Sequence, residues 1–360
     1  MYETLGIQSF TTPEAAVIFA IGLGLAFGVL AERTRFCFRR ALVGEDRRAA
    51  MGVWLAALAA ALLGTQAAVA AGWIGFSDHR FHAADLPVVA VIAGGLLFGA
   101  GMVLARGCIS RLTVLAGGGN LRALLVILVV AVTAQATMSG ALAPLRTALG
   151  AVTLPLGEAA SLAALPGGAV LWGGLIGAGA LAVALRSGAG AGTLLLAGAL
   201  GGLVPLGWVG TGLVLQDAFD PIPQESLAFT GPVAEGLFWT VAATSIPAGF
   251  GTGLVAGVLA GSLAAALLFG RFRWQSFEGP AETGRYMAGA ALMGVGGVLA
   301  GGCTVGAGLS GVPTLSVAAL LALAAIAAGA LGADAALRAV SRSSRGSAAR
   351  RGTPPPQPAE

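Results

Sequence analysis

The chain has 360 residues, 57% of them hydrophobic and only 10% charged, with a mean hydropathy of +0.88. A soluble domain of this length carries about a quarter charged residues, so the composition excludes one. The net charge of +4 comes from 20 basic residues, all arginine, set mostly in short loops between apolar runs; that is a topology pattern and argues against nucleic-acid binding.

The first apolar run, about 15–31, follows acidic Glu3 and Glu14 and has no basic segment before it, so a retained helix is expected and not a cleaved leader. Further runs near the ~20-residue bilayer length cover about 50–75, 87–105, 121–142, 168–186, 190–209, 232–270, 285–301 and 313–332. Loop charge orients them. RTRFCFRRALVGEDRR (33–48) is rich in arginine and is predicted cytoplasmic, which places the N-terminus outside. SDHRFHAADLP (77–87) and LQDAFDPIPQESLAF (215–229) suit the outer face. Arg106, Arg111, Arg122 and Arg186 mark the inner face, as do RFRWQSFEGPAETGR (271–285) and the basic tail. The alternation closes if 232–270, interrupted by SIPAGFGTG (245–253), crosses once and adds a re-entrant hairpin. The prediction is an all-α polytopic protein of about nine spans with re-entrant half-helices, N-terminus out and C-terminus in. Residues 1–332 form the transport domain, and 333–360, rich in Pro, Ser and Arg, form a disordered basic tail.

His79 and His82 in SDHRFH have no further ligands nearby and are read as a solvated loop; no metal site and no cofactor are expected. Glu235, in GPVAEGLFW, is the acid placed to enter a span, and the sequence assigns it no role.

Two segments match. MVLARGC (102–108) aligns with GVLAGGC (297–303), and the predicted topology runs their spans in opposite directions, the signature of an inverted repeat with halves near 15–142 and 168–332. FGVLAERTRFC before Cys37 is a weaker copy, and GGLVPLGW puts Trp208 where a cysteine would stand. Glycine at the end of an apolar span fits two readings, close helix packing or a re-entrant loop lining a pathway. Three cysteines, an odd number, make no disulfide framework. Soft thiols at predicted breaks can contact a substrate sulfur without holding it too tightly to release. The substrate-path candidates are therefore Cys37, Cys108 and Cys303, with Arg106, Gly107, Gly301, Gly302, Thr304 and Trp208 beside them.

RTRFCFRRAL, GMVLARGCISR and GGVLAGGCTVGAGLSG resemble the three cysteine motifs of the YeeE/YedE family, membrane proteins with a sulphur-transport domain. The resemblance spans about 15–332 and implies a thiosulfate importer of the bacterial inner membrane, not an enzyme. It implies an hourglass-shaped helical fold with the N-terminus periplasmic and the C-terminus cytoplasmic. It further implies a thiol relay in the order Cys303, Cys108, Cys37 from outside to inside, and a small cytoplasmic TusA-like sulfur-carrier protein as partner. The middle motif departs from the pattern, with Arg106 where glycine is expected, which leaves sulfite, other sulfur anions or selenium compounds open as cargo. The alternative is a membrane sulfur-transferase or redox component carrying persulfide on Cys108, whose chemistry wants an accessible thiolate.

Overall fold

The computed structural model describes residues 11–350 apart from 218 and 278. Among these, nine helical stretches are long and apolar enough to cross a membrane. Among the described residues strand is limited to Asp85–Leu86 (β1) and Leu154–Pro155 (β2), paired antiparallel. The chain is an all-α polytopic membrane protein. Val170, Leu195 and Leu268 are each more than three-quarters exposed. Together with the other exposed leucines and valines they form an apolar exterior suited to lipid.

Helix α1 (Thr12–Thr34) starts with proline in its first turn, and the Thr11 N–H donates to Glu14 Oε2 at 2.8 Å. After the short α2 (Phe38–Val43) come α3 (Arg47–Ala70), α4 (Val88–Leu104), α5 (Ile109–Gly117), α6 (Leu121–Ser139) and α7 (Ala143–Gly150). Asn120 caps α6 by accepting from the Ala123 N–H at 2.9 Å. The second half contains α8 (Gly168–Leu185), α9 (Ala191–Val209), α10 (Thr230–Ala242), α11 (Phe250–Leu268), α12 (Pro280–Leu299) and α13 (Val317–Arg350). The long 232–270 segment resolves into two pieces. At 13 residues α10 is only about 20 Å long, too short to cross, and α11 is the span. Helix α13 runs past residue 332, where an unstructured tail was expected to begin. Its Ala- and Arg-rich end has good helix propensity and meets no proline before 354. The rest of that expected tail, 351–360, and Glu3 lie outside the described residues.

Glycines decide which helices touch and in which direction they run. Gly24 and Gly28 of α1 face the backbone of α11 around Gly257 and Gly261, so these helices run parallel. Gly95 and Gly99 of α4 meet α13 near Ile326 and Ala330, also parallel. By contrast Gly94 lies against Ala300, and Gly101 against Gly289, so α4 and α12 are antiparallel. These relative directions match those derived from loop charge. For these glycines the close-packing reading is the correct one.

The α4–α12 register also sets depth. A Cβ on Gly289 would come within 2.7 Å of the Ala105 nitrogen. Gly289 is nine residues into α12, so α4 stops about 13 Å short of the start of its partner. The break before Cys108 is therefore inside the span. Loops expected on one face also meet each other. Asn120 Nδ2 donates to Gln275 Oε1 at 2.6 Å and an Arg48 N–H to the Arg186 carbonyl at 3.0 Å, all on the predicted inner side. On the predicted outer side β1 pairs with β2, and the Leu162 N–H donates to the Leu315 carbonyl at 2.9 Å.

A candidate anion pathway through three cysteines

One local device occurs three times. Two residues before each cysteine the backbone turns left-handed, at Arg35 (φ 51°), Arg106 (φ 56°) and Gly301 (φ 73°). At the first two breaks the next amide closes the preceding helix, Phe36 N–H to the Ala31 carbonyl at 3.2 Å and Gly107 N–H to Met102 at 3.1 Å. The cysteine then takes the N-cap position of a short helix. Cys37 precedes α2, Cys108 precedes α5, and Cys303 precedes a π-helical segment, Thr304–Gly311. The Gly306 N–H donates to Cys303 Sγ at 3.4 Å. The Arg40 and Arg111 amides lie at the same three-residue offset from Cys37 and Cys108, but neither sulfur accepts a cap hydrogen bond. Each sulfur therefore sits where a helix presents unpaired N–H groups.

The thiols form a connected line. All three are free and buried. The Cys37 and Cys108 thiols are neighbours that interact electrostatically. Cys108 Sγ is 3.2 Å from Ser110 Oγ and also reaches Thr304, the residue after Cys303. Trp208 does not repeat the device: it lies inside α9, which passes directly into a π-helical turn at Gly210–Val214.

Above Cys303 a cavity of about 1010 Å³ opens among the loops predicted to be external. Gly301, Gly302 and Cys303 lie on its wall with Arg80, Trp208, Gln224, Glu225, Thr230 and Glu235. The short helix α10 points its N-terminus into the protein beside Gly297, and Phe229 just before it is fully buried. Glu235 accepts from the Thr252 N–H at 3.3 Å and from its hydroxyl at 3.2 Å, which caps the start of α11. The histidines are not a solvated loop. His82 Nε2 meets the Thr314 carbonyl at 3.1 Å, and His79 packs edge-on to Trp208 with ring centres 5.2 Å apart. Burial, with Arg80 adding repulsion, pulls the pKa of His79 down to about 4 and keeps it neutral at physiological pH. Burial raises the pKa of Glu225 to about 7; the nearby Glu235 carboxylate adds to the rise and Arg80 opposes it.

Toward the opposite end, Arg111 pairs with Glu32 at 3.3 Å, while Arg106 and Arg122 share Glu282 at 3.8 and 3.5 Å. The Arg106 side chain is 55% exposed and reaches to the first turn of α12. Its backbone takes the conformation that Gly301 takes in the matched motif, which explains why glycine is the natural residue there. Arg106→Gly removes a left-handed penalty of roughly 1 kcal/mol. It also gives up a long, exposed ion pair worth well under about 1 kcal/mol. Thermal unfolding of the purified variant should show a midpoint equal to or above the wild type.

Sequence reasoning missed Arg80, Gln224 and Glu225. Arg80 and the Gln224–Glu225 pair come from two loops far apart in the sequence, no periodicity marks them, and the fold alone gathers them.

The model of the sulphur-transport family matches residues 33–331. The chain belongs to the sulphur-transport family. A curated relative, the thiosulfate transporter TsuA of Spirochaeta thermophila, is 28% identical over 322 residues, covering 83% of this chain and 92% of the relative. Membership in the sulphur-transport family accounts for the nine apolar spans and for a sulfur compound as the transported material.

Proposed function

We propose that this member of the sulphur-transport family carries thiosulfate into the cell through the Cys303, Cys108, Cys37 line. The observation that carries the reading is the repeated N-cap placement of three buried thiols in one connected path below a polar cavity. The named activity of the TsuA relative supports thiosulfate as cargo. The anion enters the outer cavity, meets the Cys303 thiol, passes to Cys108 and Cys37, and leaves past Arg111 and Arg106. Helix N-termini favour the negative charge at each step without a full positive charge that would trap it. In this reading the cavity faces the periplasmic side of the inner membrane, as the loop charges favour, and the arginine-rich face is open to a cytoplasmic sulfur carrier. Radiolabelled thiosulfate uptake by cells lacking other importers tests the reading: expression must confer uptake, and none despite membrane insertion sinks it.

Glu225 adds a pH dependence. It faces Arg80 and Glu235, with Asp78 and His79 in the same cavity wall. Its raised pKa makes it neutral below about 7 and anionic above, where it repels a dianion. Initial uptake should be faster at pH 6 than at pH 8, by up to about tenfold, the change in protonated fraction over that interval. Glu225→Gln should flatten the profile.

One observation favours a second reading. The Cys37 and Cys108 thiols are neighbours, the arrangement in which one cysteine resolves a persulfide formed on the other. In that chemistry the Cys108 thiolate attacks the outer sulfur of thiosulfate, the S–S bond breaks with its electron pair, and sulfite leaves. Mass spectrometry during turnover separates the two: a Cys108 adduct one sulfur heavier supports transfer, and unmodified thiols support passage.

A further inference from the structure

Three residues on the wall of the same cavity, Trp208, Gln224 and Thr230, each carry a buried polar atom without a hydrogen-bond partner (Nε1, Nε2 and Oγ1). Native proteins rarely leave such groups unpaired, because each costs about 1–3 kcal/mol. Trp208 and Thr230 are only 2% and 4% exposed. Packing fixes all three. The Trp208 ring is edge-on to Phe76 at 5.1 Å between centres. Thr230 Oγ1 stands over Gly297, where a Cβ would come within 2.7 Å of it. The Gln224 amide nitrogen faces Gly212, with room for a Cβ only at 3.0 Å. An indole N–H and an amide NH₂ only donate, and a hydroxyl can donate, so the set suits oxygen acceptors. Arg80 adds positive charge on the same wall.

We propose that Trp208, Gln224 and Thr230 form an oxyanion subsite that holds the oxygens of the incoming sulfur anion while its bare sulfur turns to Cys303. This rests on the thiosulfate reading and names the residues that select for that cargo. The donors bind pyramidal or tetrahedral sulfur oxyanions as a class. Sulfide, which has no oxygens, does not load. Sulfate loads but offers Cys303 no sulfur contact, and so does not pass.

Equilibrium binding of radiolabelled thiosulfate, sulfite and sulfate to the purified full chain in detergent tests this, with a thermal midpoint recorded for each variant. Trp208→Phe keeps the aromatic packing and removes the N–H. It should weaken thiosulfate binding by about tenfold or more, the worth of a hydrogen bond to a charged group. Thr230→Val, nearly the same volume, should weaken it in the same direction and guards against a folding defect in the tryptophan variant. Cys303→Ala should keep sulfate binding. If both Trp208→Phe and Thr230→Val bind every oxyanion as the wild type does, or if the wild type binds none, the subsite is overturned. If the wild type binds sulfite or sulfate but not thiosulfate, and Trp208→Phe weakens that binding, the subsite stands and the cargo reading falls.

Discussion

Cys108→Ala should reduce thiosulfate uptake by at least tenfold while leaving the protein folded and in the membrane. Cys108 is 1% exposed and occupies the middle of the line, beside Cys37 on one side and Thr304 on the other. Removing its sulfur leaves a small cavity costing about 1 kcal/mol, too little to unfold a protein of this size. It also removes the one soft contact available between Cys303 and Cys37. A tenfold loss corresponds to about 1.4 kcal/mol on the barrier to passage. Cys108→Ser keeps a hydrogen-bonding group near Ser110 and should be nearly as impaired, because a hydroxyl replaces the polarizable sulfur. Uptake rates normalised to membrane-inserted protein decide the matter. Wild-type rates in both variants would remove the thiol from the pathway.

Gly289→Val should have the larger effect on stability. A Cβ there meets the Ala105 nitrogen and the Gly101 carbonyl oxygen, each at 2.7 Å, so the contact is with backbone and cannot yield by a side-chain rotation. Helices α4 and α12 must separate, at about 3 kcal/mol for overpacking of this kind. Their separation displaces the turns that position Cys108 and Cys303, so uptake should fall with the thermal midpoint. Gly284→Val is the control. It lies on the same helix with nothing within 4 Å of its Cβ, and should behave as wild type.

The cysteine breaks were legible because glycine-rich sequence followed a cysteine-bearing apolar span twice, and ARGC aligned with AGGC revealed the second copy. The spans and their relative directions were legible because arginine placement alternates along the chain. Other features depend on contacts that sequence spacing does not encode. Arg106 read as a charge beside the thiol, whereas its backbone conformation matches Gly301 and its side chain reaches Glu282. The SDHRFH loop read as solvated because polar residues usually are, yet His82 bonds Thr314 and His79 packs on Trp208, leaving both histidines half-buried. Part of the cavity lining stayed hidden because Arg80, Gln224 and Glu225 come from loops that only the folded chain brings to one wall with Trp208 and Cys303. The tail was read from its Pro and Ser content, and the alanine-rich stretch before it extends α13 to Arg350.

The proposed pathway passes intact thiosulfate along the thiols. The most direct test is uptake into proteoliposomes of thiosulfate labelled in separate experiments on its outer or its oxygen-bearing sulfur. The account predicts that both labels accumulate inside at the same rate, that neither remains on the protein, and that both depend on Cys108. Label from the outer sulfur retained on the protein, with the other released outside as sulfite, would contradict it.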